Sequence, residues 1–420
     1  MAEVLSADVA VVGGGPAGIA AATAAAAAGR RVLLFDEGPR PGGQIWRHRA
    51  GAAPARARKW LDRLARSGAV RVPEAAVFAI SERFSLLAET PRGSVPVAAG
   101  AVVLATGARE RFLPFPGWTL PNVFGIGGAQ ALLKGGADFR DRTVVIAGSG
   151  PLLLPVAALL ARAGARVAVV AEQAPSAAVF RFAAGLWRAP RTVADALSYR
   201  RAFARTPYRF GVWVTEARGD DRVREAVLTD GSRSWTIPCD LLCTGFGLVP
   251  STELARLAGC RIAGETVEVD EGQRTSVPGV FAAGEPTGVG GVEKALVEGE
   301  IAGCTAAGRK ARRTLLASAK RRRHYAEAIG QAFAPRPELR ALPRPETIVC
   351  RCEDVPAAAF DPRWSARQAK LYTRAGMGPC QGRVCGPALR YLFGWESDSV
   401  RLPISPVSLE TLAADRQEDR

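Results

Sequence analysis

The chain has 420 residues, 48% of them hydrophobic, and a formal net charge of +16. This length predicts two or three domains, and the start of the chain lacks the pattern of a signal peptide. No apolar run is long enough to span a bilayer, so we expect a cytoplasmic protein without a transmembrane segment. The basic residues are mostly arginines spread along the chain, so the charge does not by itself predict a nucleic-acid partner.

The first predicted elements form a dinucleotide-binding fingerprint. An apolar strand over residues 9–12 is followed by glycines at G-x-G-x-x-G spacing and by an alanine-rich helix over residues 19–28. Such glycines permit a tight turn, a close approach of a pyrophosphate to the backbone, and close packing of the helix on the strand. A second strand over residues 32–35 ends in two acids, of which the first is preferred as the ribose ligand. The candidate cofactor-binding residues are Gly13, Gly15, Pro16, Ala17, Gly18, Asp36 and Glu37. The alternative is a glycine-rich turn without a ligand.

Two further segments complete the first predicted domain. A loop over residues 40–47 reads R-P-G-G-Q-I-W-R, and its Gln44 amide, directly after Gly43, suits a planar polar ring. Short strands are predicted over residues 70–103 and contribute Val77 to the cofactor-binding set. The last strand ends in Thr106 and Gly107, an ending at which flavin-binding domains commonly meet their next segment.

The opening pattern repeats over residues 142–172, after a Pro- and Gly-rich boundary at residues 114–121. The copy retains Gly148 and Gly150, but Leu153 replaces the third glycine, and Ala171, followed by Glu172, stands in the place of the acid. We expect Leu153 to push the helix away from the strand and to alter the phosphate pocket. The repeat leaves three alternatives open, namely a site for NAD(P), a site for another nucleotide, and a retained fold without a ligand.

The remaining predicted elements return to the first nucleotide site. Residues 174–213 are rich in Arg and aromatic side chains and are predicted to be helical, and residues 241–247 form another strand with a Thr-Gly ending. A strand over residues 276–285 ends in Gly284 and Glu285, and such a strand aims an acid at the ribityl hydroxyls of a flavin. The alternative for Glu285 is a helix-start carboxylate. A helix over residues 288–308 follows, and its N-terminus around Gly291 and Val292 is expected to face the pyrimidine edge of the flavin.

Four of the eight cysteines are clustered near the C-terminus, and the other four are scattered and predicted to be buried. Cys350 and Cys352 form C-x-C, and Cys380 and Cys385 form C-x4-C. Four thiolates in two close pairs suit an iron–sulfur cluster or zinc, although C-x-C is unusual for structural zinc. Free thiols are the third alternative. The neighbouring glycines let the backbone turn around the sulfurs and donate N–H bonds to them.

The order of these motifs resembles that of the two-dinucleotide-domain flavoproteins related to thioredoxin reductase. The resemblance covers residues 8–308 and rests on the glycine fingerprint, the GGQ loop, the two Thr-Gly endings and the Gly-Glu ending. It implies an FAD domain that is interrupted by an NAD(P)-type domain and then resumes. Those disulfide reductases carry a redox C-x-x-C, whereas Cys239 and Cys243 here are spaced C-x3-C, so we do not expect disulfide reduction.

The C-terminal segments V-C-R-C-E-D and T-R-A-G-M-G-P-C-Q-G-R-V-C-G resemble the bacterioferritin-associated-ferredoxin-type [2Fe–2S] module. That module lies at the C-terminus of the larger subunits of opine oxidases, D-hydroxyproline dehydrogenases and hydrogen cyanide synthases. G-G-Q-I-W-R and the G-G-A-Q-A-L-L-K-G-G of residues 127–136 also resemble this family, so the resemblance runs over nearly the whole chain. It implies FAD and a [2Fe–2S] cluster whose ligands are Cys350, Cys352, Cys380 and Cys385.

The implied fold class is α/β, with two Rossmann-like three-layer dinucleotide-binding domains and a small C-terminal [2Fe–2S] module. The expected boundaries are residues 1–117 for the first part of the FAD domain, 118–246 for the NAD(P)-like domain, 247–325 for the second part of the FAD domain, 326–345 for a linker, and 346–420 for the module and tail. The resemblance implies a subunit of a hetero-oligomeric dehydrogenase or oxidase acting on the C–N bond of an amino-acid-like substrate. It implies that the partner is a catalytic FAD subunit, and it admits a small ferredoxin-like subunit.

No catalytic residue is identified, since the only histidines, His48 and His324, stand in no readable acid–base or metal pattern. This argues weakly for an electron mediator over a substrate-oxidising subunit. The alternatives are a stand-alone NAD(P)H-dependent FAD/iron–sulfur reductase and a redox scaffold that holds a nucleotide structurally. The basic cluster of residues 309–323 is interpreted as a solvated helix face, with a docking surface for an acidic partner and a nucleic-acid contact as the alternatives.

Overall fold

The computed structural model describes residues 4–81, 85–396 and 400–415. The chain forms two compact units. The first unit comprises Met1–Arg109, Val249–Glu327 and Ser399–Arg420, and the second comprises Glu110–Leu248 and Ala328–Asp398. No helix within the described ranges is long and apolar enough to cross a membrane.

The strands, in chain order, are β1 (Leu5–Val12), β2 (Val32–Asp36), β3 (Val70–Pro73), β4 (Ala76–Ile80), β5 (Ser85–Thr90), β6 (Gly93–Leu104), β7 (Ala108–Glu110), β8 (Val123–Gly125), β9 (Thr143–Gly148), β10 (Arg166–Glu172), β11 (Tyr208–Phe210), β12 (Trp213–Arg218), β13 (Glu225–Thr229), β14 (Ser234–Pro238), β15 (Leu241–Gly245), β16 (Leu248–Pro250), β17 (Ile262–Ala263), β18 (Thr266–Val267), β19 (Val280–Ala282), β20 (Ile348–Cys350) and β21 (Val355–Pro356).

The α-helices are α1 (Pro16–Ala27), α2 (Ala55–Ala65), α3 (Ile126–Gly135), α4 (Leu153–Arg162), α5 (Ser176–Gly185), α6 (Pro190–Ala202), α7 (Glu253–Leu257), α8 (Val292–Ala306), α9 (Arg313–Ala332), α10 (Ala366–Thr373), α11 (Cys385–Phe393) and α12 (Leu409–Asp415). Short 3-10 helices occupy Leu186–Arg188, Glu285–Thr287, Pro337–Ala341 and Ala357–Ala359.

The first unit is built on a mixed seven-stranded sheet of order β3-β2-β1-β6-β5-β4, in which β19 also pairs with β6. Both neighbours of β1 run parallel to it. Val9 and Val11 pack with α1 on one face, while Ala10 and Val12 pack into the core on the other. The continuous apolar run of β1 therefore reflects burial on both faces, as expected of a parallel strand covered on each side.

A close contact between α1 and α8 joins two parts of the first unit that are far apart in sequence. A Cβ at Gly299 of α8 would lie 2.1 Å from the carbonyl oxygen of Ala17 in α1. Only a residue without a side chain fits there. The contact brings the start of α1 and the start of α8 into one region, which is where the candidate flavin residues lie.

The second unit is built on a parallel five-stranded sheet of order β11-β10-β9-β15-β8 and a separate antiparallel sheet of order β12-β13-β14. Val144 and Ile146 of β9 pack with α4, and the alternate residues of β9 face the other core of the unit. The cysteine-bearing part has a small core of its own, which includes Phe360 and Trp395.

Several element boundaries differ from those expected from the sequence. The helix expected over residues 288–308 begins only at Val292, after glycines with positive φ. Helix α9 runs to Ala332 and therefore includes the first residues of the expected linker 326–345. The tail belongs to the first unit, where the Ile404 N–H donates to the Phe78 carbonyl at 3.1 Å, whereas the cysteine-bearing segment that precedes it belongs to the second unit.

Candidate cofactor sites

The glycine turn after β1 leaves space in front of α1. Gly13 has a φ of +106°, and a Cβ at Gly18 would lie 1.8 Å from the Gly13 carbonyl oxygen. These glycines therefore let α1 pack closely against β1. A Cβ at Gly15 would meet only the Gly43 Cα, at 4.0 Å, so the space beside this backbone is open. Pro16 is the first residue of α1, and no side chain among the described residues caps this helix start.

Asp36, at the end of β2, is the acid that reaches this turn. Its carboxylate accepts hydrogen bonds from the backbone N–H of Gly14 and, at 2.7 Å, from that of Gly38. Burial raises the pKa of Asp36, and the two backbone bonds oppose that rise. Glu37 is exposed. Of the two candidate acids, the structure brings Asp36 to the glycine turn.

One residue of the loop after β2 lies against the glycine turn, and the next one is exposed to solvent. A Cβ at Gly43 would come within 3.0 Å of the Gly15 Cα, so Gly43 lies against the turn. Gln44 is exposed, and its Oε1 accepts a hydrogen bond from Arg47 Nε at 3.1 Å. Val77 is buried on β4, in the core on the sheet face that does not carry α1. The structure therefore places Gly43 against the glycine turn and Val77 in the core that also contains Val12, the residue before Gly13, and a cofactor contact of Val77 stays a prediction.

The Thr-Gly ending of β6 is fixed by contacts within the first unit. Thr106 Oγ1 donates to the Ser251 carbonyl at 2.6 Å, and the Ser251 N–H donates to the Gly107 carbonyl at 3.0 Å. These bonds hold the predicted flavin-domain ending against residues that lie far along the chain.

The Gly-Glu ending after β19 lies directly against the start of α1. A Cβ at Gly284 would lie 2.8 Å from the Cβ of Ala17. The Glu285 carboxylate accepts a hydrogen bond from the Gly291 N–H at 2.8 Å, just before the first residue of α8, Val292. Burial raises the pKa of Glu285. In the structure Glu285 thus makes the helix-start contact that the sequence left as the alternative, and it does so beside the first glycine turn.

A buried ion pair behind this ending was missed by sequence reasoning. Lys294 and Glu298 of α8 are 2% and 0% exposed, and Nζ and Oε2 are 2.7 Å apart. Lys294 Nζ also donates to the Gly284 carbonyl at 2.9 Å and to Thr287 Oγ1 at 2.8 Å, and Glu298 accepts from the Gly284 N–H at 3.1 Å. The pair therefore holds the turn that carries Glu285. The only sequence signal is the i,i+4 spacing, which is common on exposed helix faces.

The second glycine turn differs from the first in its conformation. Gly150 has a φ of +102°, whereas Gly15 has a φ of −73°. Helix α4 begins at Leu153, three residues after Gly150, whereas α1 begins directly after Gly15. Leu153 is fully buried. Leu153 packs in the same core as Val144 and Ile146 of β9, and its expected effect on the phosphate pocket stays a prediction.

Glu172, and not Ala171, occupies the position of the acid in the second unit. It ends β10 and accepts hydrogen bonds from the N–H groups of Gly150 at 2.8 Å and Ala174 at 2.9 Å, which parallels the contacts of the acid in the first unit. The residue-by-residue matching of the two repeats was wrong here because β10 contains a register shift between residues 167 and 169 that displaces the strand end by one residue. Burial raises the pKa of Glu172 to about 7.

The four C-terminal cysteines form two hydrogen-bonded pairs in the second unit. Cys350 and Cys385 are buried, and the Cys385 thiol donates to the Cys350 sulfur. Cys352, which is exposed, pairs with Cys380. The bond from Cys385, helped by the backbone N–H of Gly376, lowers the pKa of the Cys350 thiol to about 5.

The surroundings of these thiols fit an iron–sulfur cluster. Backbone N–H groups of residues 352, 353 and 376 point at the Cys350 sulfur, and bonds of this kind tune cluster potentials. A Cβ at Gly378 would lie 2.3 Å from the Cys352 Cβ, so glycine is required for this approach. Within the described part of the chain, no three His, Cys, Asp or Glu side chains are arranged as a preformed metal site. The four thiols therefore have the chemistry of cluster ligands. In this structure they are free thiols that are hydrogen-bonded to each other in two pairs.

The basic cluster of residues 309–323 uses part of its charge inside the first unit. Arg312 pairs with Glu300 at 3.3 Å, and Arg322 pairs with Glu293 at 3.2 Å. These contacts favour the solvated helix face over a dedicated docking surface.

Comparisons with known proteins agree with this geometry. A family model described as pyridine nucleotide-disulphide oxidoreductase matches residues 7–311. An opine oxidase subunit of Rhizobium meliloti is 32% identical, with 97% of this chain and 87% of the relative covered. The hydrogen cyanide synthase subunit HcnB of Pseudomonas aeruginosa is 33% identical, with 93% and 92% covered. The predicted resemblance to the larger subunits of this group is confirmed.

Two solved structures share the fold. L-proline dehydrogenase from P. horikoshii superposes with a TM-score of 0.69 at 20% identity, over 98% of this chain and 80% of that chain. T. acidophilum thioredoxin reductase superposes with a TM-score of 0.57 at 23% identity, over 72% and 98%. The predicted α/β dinucleotide-binding fold is confirmed.

Proposed function

The chain is an FAD-dependent oxidoreductase of the pyridine nucleotide-disulphide oxidoreductase family, and we propose that it is the electron-relaying subunit of a hetero-oligomeric enzyme. The proposed partner is a catalytic FAD subunit, with or without a small ferredoxin-like subunit. That partner oxidises the C–N bond of an amino-acid-like substrate such as D-hydroxyproline or an opine. This chain holds FAD and a [2Fe–2S] cluster and passes the electrons to an acceptor.

The observation that carries the proposal is the presence of an open glycine turn and a four-cysteine group in one chain. Gly15 and the start of α1 are proposed to provide backbone contacts for the FAD pyrophosphate, and Asp36, which is bonded to the Gly14 N–H, is proposed to bind the ribose. Glu285 and the start of α8 lie beside them and are proposed to meet the ribityl chain and the flavin. The cluster ligands are proposed to be the four cysteines 350, 352, 380 and 385. When bound, FAD supplies two-electron hydride chemistry and a [2Fe–2S] cluster supplies one-electron transfer.

The substrate class rests on the relatives, which are named opine oxidase and hydrogen cyanide synthase subunits. The chain has only two histidines, and they do not form an acid–base pair, since His48 Nδ1 contacts the Trp46 carbonyl and His324 pairs with Glu327 on α9. This supports placing substrate oxidation on the partner subunit.

A partner subunit is further supported by two helices that contain no fully buried residue. No residue of α5 or α6, all of which the structure describes, is buried. Phe180, Trp187 and Leu197 in this segment are 63%, 72% and 54% exposed. Residues 176–202 carry five arginines and one acid, and exposed aromatic and Arg side chains are typical of protein interfaces. We propose this surface, called the α5–α6 face, as the contact with the catalytic subunit.

The cofactor proposal is tested on chain purified without oxygen. FAD, iron and acid-labile sulfide are measured per chain, and an electron paramagnetic resonance spectrum is recorded after reduction. We expect equal iron and sulfide with the signal of a reduced [2Fe–2S] cluster. Cys352→Ser and Cys380→Ser should lose iron and retain FAD, while the matched control Cys304→Ser on α8 should retain both. Zinc in place of iron, or full iron in Cys352→Ser, would contradict the proposal.

The relay proposal is tested with the partner present. D-hydroxyproline or an opine should reduce the flavin of this chain only when the catalytic subunit is added. Oxidation of either substrate by this chain alone would assign catalysis to this chain instead.

A further inference from the structure

The segment that follows α9 lies on the glycine turn of the second unit. Ser149 Oγ donates to the Phe333 carbonyl at 2.8 Å. Gln173, directly after β10, donates from Nε2 to the Ala334 carbonyl at 3.0 Å and to Ser149 Oγ at 2.8 Å, and its Oε1 accepts from the Arg336 N–H at 3.0 Å. Ser149 and Gln173 are both buried. The polar side chains of this turn are therefore satisfied by the chain itself.

Phe333 borders the space that the second glycine leaves. A Cβ at Gly150 would lie 3.9 Å from the Phe333 Cβ and 4.0 Å from its Cγ, whereas the matching Gly15 faces only the Gly43 Cα. The Phe333 ring also packs edge-on against Phe182 of α5, with ring centroids 5.3 Å apart. In dinucleotide-binding turns, the missing side chain of this glycine is what allows a pyrophosphate to approach the backbone. In the second unit an aromatic side chain of the chain lies at van der Waals distance from that place, where the first unit has a single backbone carbon.

The backbone donor of the turn is engaged as well. The Gly150 N–H donates to Glu172 Oε2 at 2.8 Å, and Glu172 is completely buried. The Gly14 N–H bonds to Asp36 in the same way in the first turn, so this bond is common to both turns. The second turn differs from the first in the hydrogen bonds that Ser149 and Gln173 make with residues 333–336.

We infer that residues 333–336 close the second glycine turn, so that the second unit does not bind a nicotinamide dinucleotide there. Electrons then enter the chain by a route other than NAD(P)H. This inference deepens the proposed function, because it separates an electron relay from an NAD(P)H-dependent reductase. The inference does not depend on the presence of an iron–sulfur cluster. The iron and sulfide assay of the proposed function can therefore fail while the inference holds, and the inference can fail while that assay succeeds.

The test uses the full chain loaded with FAD. NADH and NADPH are titrated separately up to about 1 mM and followed by fluorescence, and hydrogen exchange of the peptides covering residues 146–153 and 330–340 is measured by mass spectrometry. We expect no saturable binding of either nucleotide and slow exchange at residue 336, whose N–H is bonded to Gln173. Phe333→Ala and Gln173→Ala should raise that exchange rate by about 100-fold, because each opens the closing segment. The matched control is Phe180→Ala, which removes an exposed aromatic ring of α5 and should leave the rate unchanged.

Two results would overturn the inference. One is saturable NADH binding below about 0.1 mM that also slows exchange over residues 146–153. The other is exchange of the Arg336 amide in the unmodified chain as fast as in an unstructured peptide. If both variants fail to fold, the titration and the exchange of the unmodified chain still decide between the two outcomes.

Discussion

Replacing Lys294 with methionine is expected to destabilise the first unit strongly, although the side chain keeps its length. The substitution removes the ammonium group 2.7 Å from Glu298 Oε2 and leaves a carboxylate that is 0% exposed. Removing one partner of a buried ion pair costs about 3 to 5 kcal/mol. We expect the lower end of this range because Glu298 keeps a second partner. Arg323 Nε lies 3.3 Å from the other carboxylate oxygen of Glu298. We therefore expect a loss of about 3 kcal/mol, or roughly a hundredfold in the unfolding equilibrium.

Urea unfolding followed by flavin fluorescence measures this loss, because the pair holds the Gly284 turn beside the proposed FAD site. The matched control Glu268→Gln breaks an exposed ion pair with Arg261 and should cost less than about 1 kcal/mol. The double variant Lys294→Met with Glu298→Leu removes both buried charges and should recover most of the stability. A Lys294→Met protein within about 1 kcal/mol of the unmodified chain would refute the reasoning, as would a double variant no more stable than the single one.

Three further predictions concern the other sites. Burial raises the pKa of Glu172 to about 7, so the folded chain keeps a proton that the unfolded chain releases near pH 4.5. The free energy of unfolding, measured by urea titration, should therefore fall by about 3 kcal/mol as the pH rises from 4.5 to about 7. This fall should be absent from Glu172→Gln. Asp36→Asn should weaken FAD binding by at least about tenfold, measured by quenching of FAD fluorescence, whereas Asp62→Asn on the exposed side of α2 should leave it unchanged. The double variant Trp187→Ser with Leu197→Ser should weaken binding of the catalytic subunit by at least about tenfold in a pull-down titration. The stability of the isolated chain should not fall, because both side chains are exposed. Unaltered assembly would place the interface elsewhere.

The first glycine turn could be predicted from the sequence because neighbouring residues determine it. The strand before Gly13, the glycine spacing and the acid that ends the next strand are local signals, and the structure joins them through the bond between Asp36 and the turn. The acid of the second unit was misplaced because the register shift in β10 depends on its pairing with β9, which composition does not reveal. The spacing of the cysteines groups Cys350 with Cys352 and Cys380 with Cys385, whereas the hydrogen bonds join each cysteine of the first group to one of the second. This pairing depends on contacts between distant segments, which the spacing does not reveal.

The burial of Lys294 could not be predicted for a related reason. The segment E-K-A-L-V-E-G-E has charges at the spacing of an exposed helix face. It is buried because Gly299 lets α8 lie against the backbone of Ala17 in α1, a contact between residues more than 280 positions apart. Long-range packing of this kind leaves no periodic signal in either helix taken alone.

The segment that closes the second glycine turn also carries the cysteine-bearing part of the same unit. The Tyr391 hydroxyl of α11 donates to the Arg336 carbonyl, and the Arg336 guanidinium lies 3.8 Å from the centroid of the Trp213 ring. Nearby, Trp118 Nε1 donates to the Ile348 carbonyl at 2.6 Å, next to the first cysteine pair. On the inference above, a nicotinamide dinucleotide entering the turn would displace Arg336, and with it the contact through which Tyr391 attaches the cysteine-bearing part. The inferred closure of the turn therefore makes dinucleotide binding and attachment of the cysteine-bearing part competing uses of residues 333–336.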